Sequence, residues 1–151
     1  MERFVVSDYY IDMELGEGFM TEHGKPLAFM LGDNFRSVML SKVEENVEES
    51  ILSISHLLER SFDASVLAGL GGREKAEITL YELFAALVFV RDADDILPRL
   101  KLPAISGYVS GIDGKLRCVC GIYLGNIVRL NAHDLTKPQQ VNGEGYVTRV
   151  E

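Results

Sequence analysis

Apolar and polar positions recur along this chain with two periods, one near 3.6 residues and one of two, and the changes between them mark out its elements. The longest helical pattern covers 41–61. At about 100° per residue, Val43, Val47, Ile51, Ile54, Leu57 and Leu58 share an arc of about 120°. Glu44, Glu45, Glu48, Glu49 and Glu59 take the opposite side, with Leu52 stranded among them. Ser41 followed three residues later by Glu44 reads as a capping box, a start signal for this predicted helix.

Before it, residues 4–13 read as a strand, with Asp8 and Asp12 on its polar side. Residues 27–31 and 35–40 read as two more strands, joined by Gly32-Asp33-Asn34 as a hairpin turn. After it, Asp63 caps a short helix through Ala68, closed by Gly69-Leu70-Gly71-Gly72. Thr79 and Glu82 form a second capping box, and Leu80, Leu83, Phe84, Leu87 and Val88 have helical spacing, so a helix is favoured over a buried strand for 79–90.

The last third is a β-meander. Residues 108–112, 115–124 and 127–130 are joined by Asp113-Gly114 and Gly125-Asn126, dipeptides suited to two-residue hairpins because those turns require positive φ. In the middle strand Leu116, Cys118, Cys120, Ile122 and Leu124 share one face. The expected fold class is therefore α+β, with antiparallel meanders at both ends, one long amphipathic helix over 41–61 and one or two shorter helices packed on the sheet. In element order alone the chain resembles small profilin-like or roadblock-like adaptor domains; no motif anchors that likeness, and no family is assigned. A faint echo between the turn-and-strand patterns after Gly24 and after Gly114 reads as coincidence of two meanders rather than duplication.

With 151 residues, 47% of them hydrophobic, the chain fits a single globular domain spanning 1–151. No uncharged apolar run reaches about 18 residues, and the first residues lack the pattern of a secretory signal, so a cytoplasmic protein is expected. The two cysteines, two apart on one strand, would make a strained disulfide and are expected as thiols. A formal charge of −8 disfavours nucleic acid and anionic membrane surfaces as partners. That charge is concentrated early: residues 1–62 hold 12 acids against 5 Lys and Arg, residues 63–151 hold 11 against 10.

No catalytic or cofactor signature stands out. Cys118 and Cys120 with His133 are the best metal-ligating set, but the spacing is not that of a zinc knuckle and no fourth ligand is evident; packing among Leu116, Ile122 and Leu124 is the expected role, with no metal assigned. His133-Asp134 reads as a surface loop rather than a base and its orienting acid, and His23 and His56 read as exposed. Gly69, Gly71 and Gly72 with Arg73 follow a helix rather than a strand, which favours a helix stop over an anion-binding nest. Asp8, Asp12, Glu14 and Glu17 lack calcium-loop spacing.

The leading expectation is a non-enzymatic acidic module of inhibitor, immunity or adaptor type, meeting a basic protein through Glu44, Glu45, Glu48, Glu49, Leu52 and Glu59, with charge giving rate and Leu52 the desolvated contact. Two alternatives stand beside it. One is a small enzyme or ligand-binding domain using the C-terminal sheet with His133, Asp134 and Cys118. The other is a homo-oligomeric assembly subunit associating through sheet edges or residues 66–70.

Overall fold

A computed structural model describes residues 3–6, 11–13, 28–45, 50–56, 62–94, 104–124, 127–135 and 145–150. In chain order the elements are β1 (Arg3–Val6), β2 (Ile11–Met13), β3 (Ala28–Leu31), α1 (Asp33–Met39), β4 (Val43–Glu45), β5 (Leu52–His56), α2 (Asp63–Gly69), α3 (Arg73–Ala76), α4 (Leu80–Asp94), β6 (Ala104–Ser110), β7 (Leu116–Leu124), β8 (Ile127–His133) and β9 (Gly145–Arg149). Strands and helices in these proportions make an α+β fold, as expected.

Among the described residues two sheets are formed. A small antiparallel sheet has the order β2-β1-β4, and a mixed sheet of six strands has the order β3-β8-β7-β6-β9-β5. Within the larger one, β3 runs parallel to β8 and β6 parallel to β9, while the remaining pairs are antiparallel.

The C-terminal meander is as expected, and β9 adds to it beside β6. Its first turn is longer than a two-residue hairpin: Ser110 pairs with Leu116, and residues 111–115 close the loop with Gly114 at φ 79 and Asp113 Oδ1 accepting from the Lys115 amide at 3.0 Å. In the second, Leu124 faces Ile127 across the ladder, the register of a two-residue link.

The long helix of the structure is α4, and it carries the capping box seen at Thr79 and Glu82. The Glu82 amide donates to Thr79 Oγ1 at 3.1 Å, and the Thr79 amide donates to Glu82 Oε1 at 3.0 Å. Leu80, Leu83, Phe84, Leu87, Val88 and Val90 are all buried, with Phe89 left outside. The helix approaches the sheet closely at Gly121, where a Cβ would lie 2.9 Å from Leu87 Cδ2. Phe29 and Phe84 rings meet at 4.5 Å in the same core, and the Tyr123 hydroxyl donates to the Leu87 carbonyl at 2.6 Å.

Three expectations are corrected. The helix over 41–61 does not form: Val43–Glu45 is a strand paired with β1, and Leu52–His56 is a strand paired with β9. Residues 46–49 and 57–61 lie outside the described residues. The reason is local as well as tertiary. Ser41 sits at φ 67, the left-handed conformation common just after a helix and not the extended one of an N-cap, and Leu52-Ser53-Ile54-Ser55 alternates with a period of two, putting Leu52 and Ile54 on the core side. Residues 35–40, expected as a strand, belong instead to α1, where Phe35 and Met39 are buried one turn apart. With a helix there and a strand over 127–130, the echo between the halves is lost. Finally, the strand expected over 4–13 is divided into β1 and β2, which pair with each other.

Candidate functional site

The six-stranded sheet is covered on both faces. Val119, Val128 and Leu130 face α4, while Tyr108, Leu116, Cys118 and Tyr146 make a second, smaller buried cluster with Ala76 of α3, flanked by Val66, Leu67, Leu70 and Leu135. Polar groups are concentrated in this second layer. Tyr108 of β6 pairs with Cys118 of β7, and Cys118 pairs with His133 of β8, so the three side chains form a row across three adjacent strands on one face. Tyr146 of β9 continues the row by stacking on Tyr108, with ring centroids 5.7 Å apart.

Asp63, the first residue of α2, is brought to this row from the other side. It is fully buried, as are Tyr108 and Cys118, whereas the His133 side chain keeps 21% of its exposure. The Tyr108 hydroxyl donates to Asp63 Oδ1 at 2.8 Å, and His133 Nε2 lies 3.6 Å from Asp63 Oδ2. Burial raises the Tyr108 phenol above its ordinary range, reinforced by the neighbouring Cys118 and by the bond to Asp63. It therefore stays a neutral donor. One donor atom each from Asp63, Cys118 and His133 lie within 4.8 Å of one another.

Those three residue types are zinc ligands, and a tetrahedral ion with bonds of about 2.0–2.3 Å sets its donors about 3.3–3.7 Å apart. The His133 to Asp63 spacing already has that value. Thiolate, imidazole and carboxylate together suit a borderline-soft cation better than calcium or magnesium. Cys120 is buried on the same strand face but pairs with Asn131, one step along the ladder from the cluster. Both cysteines are buried thiols rather than disulfide partners. His133 thus lies against Asp63, while the adjacent Asp134 is exposed.

The residues expected to bind a partner do not share a face. Glu44 is buried, and its carboxylate accepts from the amides of Leu80 at 2.8 Å and Tyr81 at 2.9 Å, capping α4 from a distant strand, with Lys42 at 3.0 Å. Glu45 is exposed on β4, while Leu52 is half-buried and packs on the main core. Glu48, Glu49 and Glu59 lie outside the described residues, as do His23, Asp8, Glu14 and Glu17; of the side chains of Asp12 and His56 nothing is described. Around Glu44 a polar hollow of about 270 Å³ is lined by Lys42, Glu74, Glu77, Ile78, Thr79 and Arg149. Ion pairs within the chain account for much of its lining, since Glu77 pairs with Arg73 and Arg149 with Glu82. Gly71 and Gly72, at φ 100 and 88, make the left-handed helix exit expected of them.

Comparison with known proteins adds no relative: no family model, no curated protein and no solved structure matches this chain. Among the described residues no helix is long and apolar enough to cross a membrane.

Proposed function

We propose that this protein is a small metal-binding domain that takes a zinc-class divalent cation at Asp63, Cys118 and His133. The observation that supports this reading is the convergence of three different ligand types, from α2, β7 and β8, to within 4.8 Å in the second buried layer. Three protein ligands leave a fourth position for water or an added ligand, on the side where His133 reaches solvent. Tyr108 would act behind the ligands, its hydroxyl orienting the Asp63 carboxylate as outer-shell donors do in metal sites. A reduced cysteine in such a site suits a reducing compartment such as the cytoplasm. The reading is one of binding, and no reaction is assigned.

The charge-based reading, a basic protein partner, retains the net charge of −8 in its support. The three of its proposed contact residues that are described, Glu44, Glu45 and Leu52, are divided between a helix cap, a solvent-facing strand position and the core. The metal reading is therefore preferred.

Cobalt titration of the full chain under reducing conditions tests it. A saturable thiolate-to-cobalt charge-transfer band with a single-site end point, displaced by Zn²⁺, is the expected result. No band at any cobalt concentration would remove the proposal.

A further inference from the structure

The helix that brings Asp63 to the site is anchored in an unusual way. The one fully buried side chain of α2 is that of Asp63 itself. A surface helix ordinarily docks through an apolar stripe, but here Val66, Leu67 and Leu70 are only half-buried, and Phe62, just before the helix, keeps 60% of its exposure. The deepest anchor of α2 is thus a carboxyl group, whose burial is costly unless a cation or hydrogen bonds compensate it. At its other end α2 runs into Gly71 and Gly72, both in the left-handed region, where the lack of a Cβ makes changes of backbone direction cheap.

Cys118 and His133 are placed quite differently. They stand on β7 and β8, interior strands of the six-stranded sheet, and are paired directly with each other across the ladder. A cation held by all three residues would therefore bridge a glycine-jointed helix to a fixed platform. Resting on the metal-binding reading above, we propose that occupancy of this site governs the docking of α2: the bound ion clamps the helix to the sheet, and its removal loosens α2 and uncovers Tyr108, Leu116 and Tyr146. The protein is on this account a metal-responsive switch for zinc-class cations, with the Tyr108 to Asp63 hydrogen bond among the contacts that tether the metal-free state.

Amide hydrogen exchange on the full chain, with Zn²⁺ or with a chelator, tests this. Exchange across residues 66–70 should slow at least tenfold when Zn²⁺ is added, while the buried amides of α4 change less than twofold. The Asp63→Asn variant should lose the zinc effect on α2 with α4 protection intact. Should that variant fail to fold, Cys118→Ser makes the same test from the sheet side. If the cobalt band forms and exchange in α2 is the same with and without metal, the switch is overturned and the metal site stands. If no band forms, both fall together.

Discussion

Cys118→Ser is expected to lower the affinity for Zn²⁺ by about a hundredfold or more, while the metal-free protein keeps its fold. The thiolate is the softest donor of the three, and a serine hydroxyl at neutral pH is a poor replacement for it. Serine nearly matches cysteine in size, so the metal-free protein loses only about 1 kcal/mol from placing a hydroxyl in a fully buried position. Ligand binding to the folded state alone adds about 2.7 kcal/mol of stability at a hundred times the dissociation constant. Zinc should therefore raise the unfolding midpoint of the natural protein clearly and that of the variant hardly at all. Calorimetric titration and thermal melts, each with and without Zn²⁺, measure both quantities. Equal zinc affinity in the two proteins would exclude Cys118 as a ligand.

The second large effect concerns stability. Glu82→Ala should cost about 2–3 kcal/mol, because the buried carboxylate joins three parts of the chain at the start of α4. Arg149 of β9 reaches it through Nε at 2.8 Å and Nη2 at 2.6 Å, Ser50 donates at 2.6 Å, and the Thr79 amide completes the capping box. The loss is smaller than for a fully buried pair, since the Arg149 side chain is 44% exposed and water can recover it. Burial alone would raise the Glu82 carboxyl, but hydrogen bonds from Arg149, Ser50 and Thr79 outweigh it and hold the group below its ordinary value of 4.5. A depressed folded-state value means stability that is present above the unfolded value and lost as pH falls through the folded one. The natural protein should thus weaken below about pH 4.5, and Glu82→Gln should lack that part of the acid slope. Urea midpoints at neutral and acid pH give the comparison; an unchanged slope in the variant would show that the ion pair contributes little.

What could be read from the sequence was set by how far each signal reaches along the chain. The capping box at Thr79 and Glu82 is a local device, and it formed as read. The same kind of pattern at Ser41 and Glu44 misled, because Glu44 caps a helix 36 residues away instead of its own. Within 41–61 the pattern satisfied two periods at once, and pairing with β1 and β9, which no local pattern encodes, decided for strands at Val43–Glu45 and Leu52–His56.

For the site, the pairing of Cys118 with His133 follows from a two-residue link at Gly125-Asn126, and these two residues were within reach of sequence reasoning. Tyr108 was not, since a two-residue hairpin at Asp113-Gly114 would have set it against Val119. The longer loop over 111–115 shifts the register by one and sets it against Cys118. Asp63 carried a helix-start signal and nothing else. Its arrival opposite the strands depends on how α2 crosses the sheet, a packing outcome with no mark in the sequence.

X-ray absorption at the zinc edge, on the full chain loaded with a single equivalent of Zn²⁺, tests the metal site most directly. A ligand shell with one sulfur at about 2.3 Å and nitrogen or oxygen donors at about 2.0–2.2 Å is the expected result. A shell of oxygen and nitrogen alone would contradict the account, because it would place the ion somewhere other than Cys118.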